Sequence, residues 1–326
     1  MNANKCRLRS TVQTAADGSR GGPPDECACA AFAAPADPGR GRRVWEFDLS
    51  AGAEGIRKVL PEAELAGVRG EIREVLAVLD RHQPDVVFNL CEAPLGRPDR
   101  EAHPAALLEW LGVRYTGARS ETLALCRRKD RTHSVLAAAG VPVPRAVGFP
   151  CIVKPAEEHG SAGLDHDSVC EDAEAIARAT ARWRGPVMVK EFLPGREFAV
   201  ALWGATAAEH FSIGESLFQG GLRLHTYAAK WDIESADFAN SPLSYQSVLG
   251  PLLRDSVIEA ARGAWHAVGA VGYLRVDVRL DRAGAPRVID VNANPEMSPE
   301  VGMHRAVTEA GWTWKRFVRQ QIEWAF

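Results

Sequence analysis

Between Leu274 and Ser298 the chain reads LRVDVRLDRAGAPRVIDVNANPEMS, two alternating runs around a turn at Asp281–Pro286. Leu274, Val276, Val278 and Leu280 share one face of an extended strand, which leaves Arg275, Asp277 and Arg279 on the other. In the second run Ile289 and Val291 point one way, Asp290 and Asn292 the other. The pattern predicts an antiparallel hairpin that sets Asp277 beside Asp290 and Asn292. Two facing carboxylates repel unless a proton or a cation lies between them. With an amide they form a hard oxygen donor set of the kind Mg2+ takes together with phosphate. A solvated polar hairpin face would show the same alternation, so the rest of the chain decides.

A helical period runs through Gly67–His82, with apolar residues at 68, 72, 75, 76 and 79. Val86–Leu90 is a continuous apolar run typical of a buried parallel strand, and helix Pro104–Leu111 with strand Val113–Thr116 completes a βαβ unit. Asn89, Cys91, Glu92 and the loop Ala93–Glu101 follow at the carboxyl end of the first strand, where open α/β sheets bind ligands. Lys129–Ala139 reads as a helix closed by Gly140, and Phe149–Pro155 as a short strand ending near a lysine. Asp172–Trp183 is a further helix, Val187–Phe192 a strand, and Leu193-Pro194-Gly195 interrupts it before strand Glu197–Trp203. Helices are expected over Pro251–Gly269 and Trp314–Trp324.

Residues 1–43 are rich in Gly, Ala, Pro and Arg and show no period, which predicts a disordered leader or an upstream extension of the true start. The expected units are a short α/β domain over 44–123, a small α+β unit over 124–190, and a larger one over 191–326 that holds the hairpin. A length of 326 residues fits two or three packed units, and 46% hydrophobic with 25% charged residues is ordinary for a soluble globular protein. The net charge of -3, with Lys and Arg scattered, gives no reason to expect a nucleic-acid partner. Seven dispersed cysteines argue against a disulfide framework, and the Cys27/Cys29 pair lacks a second pair at zinc spacing. The apolar run Ala28–Ala34 is far short of the roughly 20 residues that span a bilayer. Asp17, Asp25 and Glu26 also spoil a signal peptide, so a reduced, cytoplasmic protein without membrane contact is expected.

Using ATP requires cations on the phosphates, small residues that let backbone N–H groups approach, an adenine slot, a ribose acceptor and a metal. The chain offers each in turn. Lys129 and Lys154 can reach phosphate oxygens, and His159-Gly160-Ser161-Ala162-Gly163 can cover them. Lys190, Glu191, Phe192 and Leu193 can present backbone groups to adenine, and Glu197 can accept from ribose hydroxyls. Singly these are weak signals, since exposed lysines and Gly-rich loops are mostly solvated or structural. No GxxxxGK[ST] is present, which excludes a P-loop, and no GxGxxG supports a dinucleotide fold.

In their order the elements from about Asp85 onward resemble the ATP-grasp superfamily, in its D-alanine–D-alanine ligase-like branch. The resemblance rests on VVFNLCE, YTG (115–117), LCRRKDRTHSVLAAAGVPVP (125–144), VKP (153–155), VKEFLPGREF (189–198), TYAAKW (226–231), LRVDV (274–278) and DVNANPEMS (290–298). It implies an α/β (α+β) ATP-grasp fold, with a short Rossmann-like N-terminal domain and two α+β subdomains sandwiching ATP. It further implies Lys129 and Lys154 on the phosphates, the Ser161 loop as phosphate cover, Lys190 to Leu193 as adenine hinge and Glu197 on the ribose. Lys230 would meet the transferred phosphoryl group. Asp277, Asp290 and Asn292 would hold two Mg2+ ions, with Mn2+ as a substitute, and Arg275 would stabilise the tetrahedral oxyanion. Such enzymes phosphorylate a carboxylate with ATP, and an amine then attacks the acyl phosphate to give an amide, ADP and phosphate.

The substrate half departs from that pattern. The glycine-rich first strand and loop that carry the family's first-substrate glutamate are absent, and Glu296 takes the place of the Gly after NxxP. Val301 stands where the family has a serine, Asp290 replaces a longer Glu, and Lys190 replaces a hinge residue that is often acidic. The expectation is a carboxylate–amine ligase for amino acids or small peptide-like metabolites. Glu92, Glu101, Glu296 and Glu300 are candidates to receive an ammonium group. A carrier-bound or peptide acceptor and a homodimer are compatible with the sequence. The competing readings are a true D-alanine–D-alanine ligase and a silent nucleotide-binding module, although a pure binder needs neither Arg275 nor Lys230.

Overall fold

A computed structural model describes residues 29–31, 44–46 and 51–326, apart from 62, 64, 69–70, 93, 95–96, 147, 158–160, 162, 220–222 and 233. In chain order the elements begin with β1 (Cys29–Ala31), β2 (Val44–Glu46), α1 (Ala51–Val59), β3 (Ala66–Val68), α2 (Ile72–His82) and β4 (Val86–Phe88). There follow α3 (Ala102–Leu111), β5 (Arg114–Tyr115), α4 (Ser120–Cys126), α5 (Lys129–Ala138), β6 (Cys151–Pro155), β7 (Val169–Cys170), α6 (Ala173–Ala181) and β8 (Val187–Glu191). The remainder is β9 (Glu197–Gly204), β10 (His210–Ser216), α7 (Tyr227–Trp231), α8 (Ala236–Ala239), β11 (Leu243–Ser244), α9 (Pro251–Ala267), β12 (Gly272–Leu280), β13 (Pro286–Asn292), α10 (Gly302–Glu309) and α11 (Trp314–Trp324).

The expected leader lies outside the described residues except at β1, which is a correction there: Cys29–Ala31 pairs antiparallel with β3. The helical period expected over Gly67–His82 divides into strand β3 and helix α2. Glycine at position 70 makes a poor helix interior, and the helix starts two residues later.

The first βαβ unit forms as expected, with β2, β4 and β5 parallel. Its central strand is covered on both faces. Val86 and Phe88 pack with Ile56 of α1 and Phe317 of α11, whereas Val87 packs with Val75 and Leu79 of α2 and Leu108 of α3. A second sheet, ordered β7-β6-β8, is antiparallel and small, with α6 against it through Ala179. Asp172 caps α6, its side chain accepting from Ala175 N–H at 2.7 Å.

The largest sheet is antiparallel in the order β11-β10-β9-β12-β13. Leu274, Val276 and Val278 of β12 join Phe198, Val200 and Leu202 of β9 in a core closed by α9 through Val257, Ala261, Ala264 and Trp265. This burial of one face leaves the polar residues of β9 and β12 on the other. Where β8 passes into β9 the chain runs against the hairpin. Gly195 N–H donates to Leu280 O at 3.1 Å, and a Cβ on Gly195 would sit 2.4 Å from that oxygen, so only glycine fits.

The hairpin register places Asp277 opposite Asp290 and Arg275 opposite Asn292. One detail differs from strict alternation. Val278 pairs with Val288, so Ile289 is an extra residue in a β-bulge. Val288 and Val291 are therefore the buried pair, and Ile289 turns to the cavity described next instead of joining the core. No helix among the described residues is long and apolar enough to cross a membrane.

Candidate active site

A cavity of about 280 Å3 opens between the small sheet and the polar face of the largest one. It gathers Lys154 of β6, Lys190 and Glu191 of β8, Phe192 and Leu193, Glu197 of β9, Lys230 of α7, and Arg275, Asp277 and Asp290 of the hairpin. Ser161 also lines it, with a left-handed φ of 60°. The other cover residues, His159, Gly160 and Ala162, lie outside the described residues or, for Gly163, do not line the cavity. Nearly all residues proposed from sequence for the nucleotide thus meet in one place.

Each carboxylate that lines the cavity has a cationic neighbour. Asp277 accepts two hydrogen bonds from Arg275, Nε to Oδ1 at 2.9 Å and Nη2 to Oδ2 at 3.0 Å. Asp277 therefore holds the Arg275 guanidinium even more firmly charged than usual. Asp290 Oδ2 lies 3.3 Å from the Lys129 ammonium, which is 7% exposed and does not line the cavity. Asn292 Oδ1 accepts from Asn294 N–H at 2.9 Å. Among the described residues no group of three or more His, Cys, Asp or Glu is placed to hold a metal. The donor set is two carboxylates with one amide, each already satisfied by a neighbouring cation or N–H. Such hard donors fit a divalent ion that shares its coordination with phosphate and water.

Lys154 Nζ donates to Ile289 O at 3.0 Å, and burial pushes its pKa down to about 8 against the opposing pull of Asp290. His133 of α5 was not singled out from sequence, yet it lines the same cavity with Nε2 3.1 Å from Ile289 O. Burial, followed by the nearby Lys154, pushes His133 down to about 4, so it is neutral. Lys190 is half-buried and its ammonium is lowered by burial.

At the hinge, the Glu191 carboxylate turns away from the cavity to Arg145, whose Nη2 is 2.7 Å distant. Glu191 N–H donates to Arg145 O at 3.1 Å and Phe192 N–H to Pro150 O at 2.8 Å. Leu193 N–H has no such partner among the described residues, although Leu193 is 4% exposed. Glu197 is engaged by Arg279, Nη1 to Oε2 at 3.0 Å, and Arg279 itself lies over the Phe192 ring at 4.8 Å. Arg279 is the second residue missed from sequence; its place on the Arg275–Asp277 face of β12 was the available signal.

The four candidate substrate glutamates do not line this cavity. Glu92 and Glu300 are exposed, and Glu296 Oε1 accepts from Ser298 N–H at 2.9 Å. Glu101 is buried, and burial, with Glu92 adding to it, pushes its carboxyl up to about 8. It stands at a seam where Asn294 Nδ2 donates to Cys91 O at 3.2 Å, tying the carboxyl end of β4 to the segment after β13.

The sequence profile described as "D-ala D-ala ligase C-terminus" matches residues 122–323, nearly everything from α4 to α11. The chain belongs to that family. An uncharacterised protein of Sinorhizobium fredii is 30% identical over 267 residues, covering 75% of this chain and 78% of its own. A D-alanine–D-alanine ligase of Gloeobacter violaceus is 26% identical, covering 81% and 95%. Among solved structures, the D-alanine–D-alanine ligase of Bacillus anthracis complexed with ATP aligns with a TM-score of 0.60 at 18% identity, covering 77% of this chain and 82% of that one. The VanG D-Ala:D-Ser ligase of Enterococcus faecalis aligns at 0.61 and 21%, covering 74% and 73%. As a family member with the ATP-grasp fold, the protein is an ATP-dependent ligase that joins a carboxylate to an amine.

Proposed function

We propose that the cavity holds ATP and that the product is an amide of an amino acid or small peptide-like metabolite. The observation that carries this reading is the meeting of three lysines and Arg275 with the facing Asp277 and Asp290 in one cleft. Leu193 N–H is the open donor for the base, and Glu197 with Arg279 faces the ribose. Lys154, Lys230 and the Ser161 loop neutralise and cover the phosphates, while Lys129 acts from behind through Asp290. Phosphoryl transfer asks for positioning and charge neutralisation and no covalent protein group, which matches a site made of lysines and carboxylates. Asp277, Asp290 and Asn292 hold Mg2+, two ions in the full complement, which when bound supplies charge neutralisation at the phosphates. Arg275 then stabilises the carbonyl oxygen that becomes negative as the amine attacks the acyl phosphate.

The family name favours a second reading, a D-alanine–D-alanine ligase. Against it stand Glu296, whose side chain is folded onto Ser298 N–H, and Val301, which is 49% exposed where a carboxylate partner would be needed. Glu101, buried at the seam with Asn294, is proposed as the ammonium-binding group, its carboxyl ionising as the ammonium arrives, with Glu92 beside it. A carrier-bound acceptor would enter from the same side.

The test measures ADP and phosphate release with Mg·ATP against D-alanine alone and against pooled amino acids and small acids, with mass spectrometry of the mixtures. Acceptor-dependent ADP with a mass gain equal to condensation is expected from the pools. Dominant turnover with D-alanine alone would select the second reading, and AMP with pyrophosphate would overturn the acyl-phosphate route.

A further inference from the structure

A buried histidine and a half-buried lysine converge on one carbonyl of the hairpin: His133 Nε2 at 3.1 Å and Lys154 Nζ at 3.0 Å from Ile289 O. Ile289 is the extra residue of the bulge, and Asp290 is the next residue along. The extra residue of a bulge lacks a ladder partner, so its direction has to be set by other groups. One turn earlier on α5, Lys129 meets Asp290 Oδ2 at 3.3 Å. Residues four apart share a helix face. One face of α5 therefore grips two consecutive residues of β13, the carbonyl through His133 and the carboxylate through Lys129.

We propose that His133 is a positioning residue of the metal site, fixing the Ile289 carbonyl and through it the aim of the Asp290 carboxylate. This rests on Asp290 being a metal ligand, as read above. The two donors on Ile289 O are not equivalent. Lys154 carries a charge that an incoming phosphate attracts, and its three N–H groups can be redirected. The imidazole is neutral, 3% exposed, and has nothing to gain from an anion. Its proton sits on Nε2, since that nitrogen faces a carbonyl, and Nδ1 is buried without a partner, as the bare nitrogen of this tautomer is. When Lys154 turns to phosphate, His133 keeps the bulge in place. Groups that orient a ligand in this way commonly change metal affinity by about 10–100-fold when lost.

The experiment titrates Mn2+ by electron paramagnetic resonance in the presence of a non-hydrolysable ATP analogue, with metal-free nucleotide binding followed by calorimetry. H133L should weaken Mn2+ binding by about 10-fold or more while metal-free nucleotide affinity stays within about threefold. H133Q, whose Nε2–H reaches the same oxygen, should stay within about threefold of wild type for both. If H133L loses its cooperative melt, H133N replaces it, since its amide is too short to span to Ile289 O. Wild-type Mn2+ affinity in H133L beside a loss in D290N overturns the role of His133 alone, as does a H133Q variant as weak as H133L. Wild-type affinity in D290N overturns the metal-ligand reading itself.

Discussion

Arg275 and Asp277 sit two residues apart on one face of β12 and neutralise each other through a pair of hydrogen bonds. On the function proposed above, removing Arg275 leaves Asp277 for the metal but takes away the guanidinium assigned to the reacting carbonyl. R275A is expected to bind ATP with near wild-type affinity and to lose about 10²-fold or more in kcat, the scale of one oxyanion donor. Steady-state kinetics beside direct nucleotide binding check this, and unchanged turnover would remove Arg275 from that role. Glu191 shows the opposite lesson. Its place in the hinge motif pointed to backbone groups for the nucleotide, and it lines the cavity while its carboxylate is held by Arg145.

The hairpin owes its register to the turn as much as to its alternation. Asp281 Oδ1 accepts from Ala283 N–H and from Ala285 N–H, each at 2.9 Å, and Arg287 Nη2 donates to Oδ2 at 2.9 Å. D281A is expected to cost about 1–2 kcal/mol, the scale of a few partly exposed hydrogen bonds, read as a shift of the urea midpoint at unchanged slope. The alternation of Leu274 to Leu280 made β12 and the Asp277–Asp290 pairing legible before any coordinates, because one buried face imposes a period of two. The bulge at Ile289 was not legible, since an inserted residue disturbs the period by a single step that apolar Val288 and Ile289 both satisfy. β10 and α10 were not predicted from the sequence, although Phe211 and Ile213 alternate in the one and Met303, Ala306 and Val307 fall at helical spacing in the other. The pairing of Lys129 with Asp290, and the role of His133, depend on how α5 lies against β13, and spacing within either segment carries no trace of that.

Across the molecule the ATP-grasp architecture was readable from motif order, while the junction between its parts was not. Glu101 lies at that junction, near Glu92, Asn294, Arg127 and Lys129. Its carboxyl is raised from 4.5 to about 8 in the folded protein. Between those values the folded state holds a proton that the unfolded chain has released, so stability falls as pH rises through this window. E101Q has no such proton to lose. Its melting temperature is expected to match or lie below wild type at pH 5 and to exceed it at pH 8.5, a relative gain on the order of a few kcal/mol. Parallel melts at the two pH values check this, and an unchanged gap between the two proteins would show that Glu101 is ionised throughout.

The core under β4 joins α1 to α11: Ala53 and Ile56 pack in one cluster with Trp314, Phe317, Val318 and Ile322. More than 250 residues of chain separate those partners. During synthesis the early helix can meet β4 through Val86 and Phe88, but the surface it shares with α11 stays uncovered until the late helix has emerged from the ribosome. For most of translation Val86, Phe88 and the α1 stripe form a sticky, unsatisfied patch on a nascent chain, and long waits of this kind are what chaperones attend to. The same wiring makes α11 a quality check. A product that stops short of Trp314 keeps every nucleotide-cleft residue named above, yet it cannot close the core beneath β4, and it presents an apolar surface that proteases and aggregation find first.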